Sequence, residues 1–210
     1  MSAEQMEPME GNPHIATLPP SELPAVVGVI ARGMRDNPTH IAAFGEEPTR
    51  REQRLHHLFS HVLPVLGVPF LAARDGRGTV VALLGMAAPG RCQPSVKQRL
   101  VLSRSLLPLG PRVLFRSMQW MGAWAKQDPA TPHWHLGPVA VDSHLQGTGL
   151  GTRLMTAFCA QMDDAGAEAY LETDKLENVR FYQRFGFHVV AEREVIGVVH
   201  WFMSRTARAT

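Results

Sequence analysis

Residues 133–162 read HWHLGPVAVDSHLQGTGLGTRLMTAFCAQM, and the order of patterns within them decides the fold. An apolar strand pattern, HWHLGPVAV, runs into the turn DSHLQGTGLG and then into a segment whose Leu150, Leu154, Phe158 and Met162 recur on one helical face. Amides at a helix start lack partners inside the helix, and the helix dipole adds partial positive charge, so this turn favours phosphate oxygens. Gly147, Gly149 and Gly151 allow a ligand to approach the backbone closely. A glycine-rich turn by itself fits a plain strand-to-helix connection equally well. Two nucleotide motifs fail here: counting GxGxxG from Gly147 puts Thr152 in the third glycine's place, and the turn has no lysine for a GxxxxGK[ST] loop. Pro138 has no N–H to donate, so the strand is expected to be irregular or unpaired there.

Working outward, YLETDKLENVRFYQRFGF (170–187) predicts a strand over 168–173 and a short helix, with Gly186 suited to the left-handed residue that ends it. A last apolar run closes at HWFMSR (200–205). Upstream, HIATL (14–18) alternates like a short strand, and PPSELPAVVGVIARGMRDNP (19–38) carries a helical stripe with Ser21 as candidate N-cap. A second helix is expected through 49–67, with His56 and His57 on its surface. The two apolar runs of 68–90 flank a DGRG turn, a hairpin signal. Residues 94–126 read as two helices broken by Pro108, Gly110 and Pro111. Residues 1–13 read as a disordered tail and 14–210 as one domain.

Composition narrows the function classes. A formal charge of +2 provides no broad basic face, so no nucleic-acid partner is expected. No apolar run is long enough to span a bilayer, and the acidic N-terminus is unlike a secretory leader, so no membrane association and a cytoplasmic location are expected. Cys92 and Cys159 fit no metal or redox spacing and suit a reducing compartment. His133 and His135 project to one side of their strand and could ligate metal, act as a base or simply be half-buried; no cysteine or acid stands at ligand spacing beside them, so no metal is expected.

Gln146-Gly-Thr-Gly149-Leu-Gly151 resembles the pyrophosphate loop (Q/R)xxGx(G/A) of the GNAT N-acetyltransferase superfamily, and it follows a strand ending in VAV as it does there. Asn178, Tyr182 and the FGF at 185–187 follow in that family's order. LGPVAV, YLET and RFYQRFGF together look most like its puromycin N-acetyltransferase group, over residues 133–205. The resemblance implies an α/β fold: a central mixed, mostly antiparallel sheet flanked by helices, whose fourth and fifth strands, 133–141 and 168–173, are parallel and splay apart to admit acetyl-CoA. It further implies that the coenzyme A moiety is bound by Val139, Ala140, Val141, Gln146, Gly147, Thr148, Gly149, Leu150, Gly151, Thr152, Asn178 and Tyr182. Val139 and Val141 would pair their main-chain groups with the pantetheine amides.

In such an enzyme an amine attacks the thioester as the free base, which calls for a proton acceptor, and the leaving thiolate benefits from a donor. Tyr182 lies four residues after Asn178, on the same helical face, and the family's tyrosine at this position implies a general acid. Phe181 and Phe185 share another face and read as core. Glu172, on one strand face with Tyr170 and Asp174, could accept the amine proton, bind the substrate ammonium, or pair structurally with a main-chain or arginine donor. Arg153, Lys175 and Arg180 could meet the cofactor phosphates or simply be solvated. Met118, Trp120, Met121 and Trp124 suggest core, and also a wall for an aromatic, fairly apolar amine.

The expected activity is therefore transfer of acetyl to the primary amine of a small molecule, by a monomer or homodimer. The alternatives are a protein lysine or N-terminal acetyltransferase and a non-catalytic acyl-CoA-sensing domain. An oxidoreductase using Glu168 or Glu172 as ribose ligand fails on topology, because too little chain follows to complete its sheet.

Overall fold

The computed structural model describes residues 15–208, so the tail expected over 1–13 lies outside the described residues. Seven strands form one sheet in the order β1-β2-β3-β4-β5-β7-β6: β1 Ile15–Thr17, β2 Phe70–Arg74, β3 Val80–Ala87, β4 Trp134–Val141, β5 Ala169–Thr173, β6 His188–Val195 and β7 Val198–Arg205. Only β4 and β5 run parallel. Among the described residues no helix is long and apolar enough to cross a membrane.

The DGRG turn closes the β2–β3 hairpin as expected, with Asp75 Oδ1 accepting from the amides of Arg77 and Thr79 at 2.9 and 2.8 Å. The final apolar run becomes the β6–β7 hairpin, whose second strand returns beside β5. Helices α1 Leu23–Gly33, α2 Pro38–Phe44 and α3 Pro48–Leu66 come from the N-terminal third. Two expectations need correction here. Ser21 sits within a 3-10 turn ahead of α1 and caps nothing, because Pro24 lets the α-helix begin only at Leu23. A separate helix, α2, follows over residues for which no element was expected: Pro38 restarts the chain at a fixed φ and Gly45 stops it. The two helices expected in 94–126 are α4 Val96–Leu106, opened by a Ser95–Gln98 capping box, and α5 Pro111–Ala125.

Two apolar clusters flank the sheet. One joins α1–α3 to Ala72, Leu83 and Ala140, and the other joins α6 (Leu150–Asp164) and α7 (Leu176–Gln183) to Leu84, Leu136 and Leu171. Alternation along β4 thus turns Ala140 to one side, and Val139 and Val141 to the other.

The strand expected to be irregular at Pro138 is so. Register against β3 shifts between the Leu84–Val139 and Met86–Leu136 pairs, leaving β4 one residue longer than its neighbour. Gly85 fits this bulge because a Cβ there would lie 2.6 Å from the Gly137 carbonyl. On its other edge β4 pairs with β5 only at Trp134–Ala169 and His135–Tyr170. Beyond His135 the two strands separate. Asp142 N donates to Val81 O at 2.9 Å, so by the alternation of an antiparallel ladder the peptide groups of Val139 and Val141 face the gap.

Candidate active site

The glycine turn is anchored at both ends. Asp142, closing β4, takes two hydrogen bonds from Arg32 Nε and Nη2, the shortest 2.6 Å. Burial opposes charge on Asp142, yet the guanidinium outweighs it and holds the carboxyl below its ordinary pKa. Gln146 Nε2 donates to the carbonyls of Gly33 and Val141 at 2.9 and 3.2 Å, so its side chain supports the turn and ties it to α1. A Cβ on Gly33 would stand 2.3 Å from the Val141 carbonyl, which is why the end of α1 can touch β4.

Gly147 and Gly149 have φ of +82° and +90°, and nothing lies within 4 Å of where their Cβ atoms would be. Helix α6 starts immediately afterwards with no side chain capping its amides. Open space, left-handed glycines and uncapped amides together make a cradle for an anion. This cradle ends a cleft of about 390 Å³ lined by Val139, Ala140, Val141, Gln146, Gly147, Gly149, Gly151, Thr152, Asn178 and Tyr182, with Lys175 and Arg184 at its rim. Thr148 and Leu150 stand apart from these: Thr148 is exposed with its hydroxyl on the Leu145 carbonyl, and Leu150 buries its side chain in the core, leaving its amide for the cradle. Phe181 and Phe185 pack against the core as read, and Phe181 also lines the cleft.

A second cavity, about 280 Å³, opens from the first. Leu58, Phe59 and Val62 of α3, Trp120, Met121 and Trp124 of α5, and His40 of α2 supply its apolar and aromatic wall, while Glu172, Asp174 and His135 supply its polar side. Met118, by contrast, is 54% exposed and lies outside it. Asn178 and Tyr182 line both cavities, as do Met34, Asn37 and Val139. The i, i+4 spacing thus places two side chains where the spaces meet. Burial and then the Asp174 charge push the Tyr182 phenol above its ordinary pKa, so it keeps its proton.

Glu172 has 3% of its side chain exposed, and its partner is His135 Nε2 at 2.9 Å rather than a main-chain or arginine donor. Burial disfavours charge on His135, but Glu172 and Asp128 outweigh it and raise its pKa well above the usual value. His40 is the opposite case. Burial dominates and keeps it neutral, with Nδ1 donating to the Met34 carbonyl at 2.7 Å. Asp174 Oδ2 accepts from Thr39 N at 2.7 Å, fastening the start of α2 beside the cavity. Sequence spacing missed His40 altogether, and it missed the partners of His135 and Asp174, which lie 37 and 135 residues away. It also missed that Cys92 and Asp128 gather beside His133 and His135, so the reason for expecting no metal there does not survive folding. A broader groove between α2, α3, α5 and the β6–β7 turn is larger, but it touches neither Tyr182 nor Glu172.

The sequence profile of the acetyltransferase (GNAT) family matches residues 42–187. Among solved structures, histone acetyltransferase HPA2 and related acetyltransferase from Corynebacterium glutamicum superposes with a TM-score of 0.70 at 21% identity, over 94% of this chain and 98% of that one. Arylalkylamine N-acetyltransferase 2 from Aedes aegypti gives 0.59 at 16% identity, over 94% and 100%. A GNAT acetyltransferase from Brucella melitensis, solved with acetyl-CoA, gives 0.51 at 18%, over 93% and 88%. At such identities these likenesses establish the shared fold and no substrate.

Proposed function

The chain belongs to the GNAT acetyltransferase family, and from that premise we propose that it transfers acetyl from acetyl-CoA to the primary amine of a small, partly aromatic molecule. The observation that carries this reading is the meeting of the cradle-ended cleft with the aromatic cavity at Asn178 and Tyr182. In this reading the pyrophosphate rests on the amides of Gly147 and of residues 149–152 at the start of α6. The pantetheine arm follows Val139 and Val141 along the gap, which brings the thioester to Tyr182.

The acceptor enters the second cavity, where the carboxylates of Glu172 and Asp174 on its polar side favour an ammonium group. A lysine-like amine has a pKa of about 10.4 and must lose a proton before it attacks. Glu172 accepts that proton, directly or through water. The amine nitrogen then bonds to the carbonyl carbon and, as the C–S bond breaks, gives up a second proton; the sulfur takes the phenolic proton of Tyr182, the nitrogen's second proton returns through solvent to restore the phenol, and Glu172 releases the first proton to bulk water. Amide and free coenzyme A are the products. The enclosing walls of Phe59, Trp120 and Trp124 favour a compact acceptor over a polypeptide segment.

The test is release of CoA thiol against a panel of amines: arylalkylamines, puromycin and lysine peptides. At least one small aromatic amine is expected to exceed every peptide in kcat/KM. In the Tyr182→Phe variant kcat should fall on the order of 100-fold while the KM for acetyl-CoA holds. Preferred acetylation of peptides would replace the small-molecule reading with the protein one, and tight acetyl-CoA binding without turnover on any amine would favour a sensing domain.

A further inference from the structure

At the start of β4, Cys92, Asp128, His133 and His135 each bring one donor atom to a common point, and these atoms all lie within 4.8 Å of one another. Cys92 comes from the loop after β3 and Asp128 from the turn after α5. His133 and His135 flank Trp134, so strand alternation puts both rings on one side, their centroids 6.2 Å apart.

The surrounding hydrogen bonds decide which nitrogens face that point. Nδ1 of His133 is 2.8 Å from the Thr131 carbonyl, and Nε2 of His135 is 2.9 Å from the Glu172 carboxylate. Both partners accept only, so both of these nitrogens donate. The remaining nitrogens, Nε2 of His133 and Nδ1 of His135, both face Oδ1 of Asp128, at 3.2 and 3.4 Å, the first within hydrogen-bonding distance. Nδ1 of His135 is buried and has no hydrogen bond despite that proximity. Positive charge belongs between these nitrogens and the carboxylate oxygen, supplied by protons when the imidazoles are charged or by a cation that replaces those protons. The Cys92 thiol beside them makes long contacts, 3.7 and 3.8 Å, to the Ala88 and His133 carbonyls.

We propose that Cys92, Asp128, His133 and His135 bind a divalent transition-metal ion of the zinc type. Two imidazoles, one thiolate and one carboxylate form a donor set that suits borderline ions. Metal–ligand bonds of about 2.0–2.3 Å put neighbouring donors of a tetrahedron about 3.3–3.6 Å apart; the carboxylate–imidazole separations of 3.2 and 3.4 Å already match. The Thr131 carbonyl and Glu172 occupy the place of the outer acceptors that fix the tautomer of metal-bound histidines. On binding, the Cys92 thiol releases its proton to solvent and coordinates as thiolate. With all four positions filled by the protein, the ion is a clamp: it ties the loop after β3 and the turn after α5 to β4, and through His135 it holds the carboxylate of Glu172 at the acceptor cavity.

The experiment titrates the reduced, chelator-treated full chain with Co²⁺. Binding of one equivalent is expected to produce the strong visible absorption of a four-coordinate ion and a near-ultraviolet thiolate-to-cobalt band, both removed by one equivalent of Zn²⁺. Cys92→Ser should lose the thiolate band and Cys159→Ser should keep it, while His133→Asn should weaken Co²⁺ binding at least ~10-fold. The weak spectrum of hydrated Co²⁺ in folded wild-type protein overturns the proposal, as does a thiolate band that follows Cys159. Should the Cys92→Ser chain fail to fold, alkylation of the wild type settles the point. Zn²⁺ is expected to shield Cys92 from iodoacetamide in peptide mass spectra, and equal alkylation with and without Zn²⁺ overturns the proposal.

Discussion

The cleft between β4 and α6 and the aromatic cavity beside it are built by different means. The cleft takes half of its lining from one contiguous stretch that presents main chain, namely the Val139 and Val141 peptides, two left-handed glycines and the uncapped start of α6, and closes it with side chains of α7 and residues at the end of α1. The cavity is made of side chains from α2, α3, α5, β4, β5 and α7, none of which determines its shape alone. Backbone geometry ties a site to the local fold, whereas side chains gathered from many elements let a site change its ligand without changing the scaffold. One region is suited to a ligand common to a whole family and the other to a ligand peculiar to this chain.

Gly149→Val tests the first half of that contrast and should have the largest effect. A β-branched residue at φ +90° is strained, and its side chain fills the cradle. Coenzyme A affinity measured by calorimetry should fall on the order of 100-fold, of which backbone strain of about 1–2 kcal/mol supplies only part. Unchanged affinity would mean that the turn holds no phosphate. Trp124→Ala tests the second half. The KM for an aromatic acceptor should rise about 10-fold, equivalent to roughly 1.4 kcal/mol, with the KM for acetyl-CoA unmoved. Equal changes in both constants would show that the two cavities are not separable.

The smallest effect concerns stability. Burial holds His40 and His200 below their ordinary pKa, so the folded state keeps them neutral while unfolded imidazoles take up protons below about pH 6.5. The contribution is fully present above that pH and is lost as pH falls toward the folded pKa. Because His135, with its raised pKa, acts in the opposite direction over this window, the effect is read by comparing chemical denaturation of wild type and His40→Gln at pH 7.5 and 5.5, where the loss of stability due to His40 on the acidic side should amount to about 1 kcal/mol. His40→Gln should reduce the difference; an unchanged difference would remove His40 from the account.

The same contrast explains what was legible in the sequence. Gln146–Gly151 and the Asn178/Tyr182 pair could be read because their geometry is local: a turn, and one helical repeat. Irregularity at Pro138 followed from a missing N–H. Glu172 drew notice as a strand acid, but its partner His135 stands across two parallel strands joined by α6, and no spacing rule reaches over such a crossover. The aromatic wall was half visible, since Trp120 and Trp124 fall one helical turn apart, while Leu58, Phe59 and His40 looked like ordinary helix residues. The short helix α2 escaped because proline punctuates both the end of one helix and the beginning of another.

The parting of β4 from β5 leaves an unsatisfied edge in the middle of the sheet, where most sheets have none. At a periphery, such a row of free amides and carbonyls invites foreign strands and aggregation. Here α1 covers one face and α6 the other, so any visitor must arrive end-on and in extended form. Shielded in this way, a feature that would endanger solubility elsewhere becomes a slot that admits a slender chain and turns away a neighbouring protein.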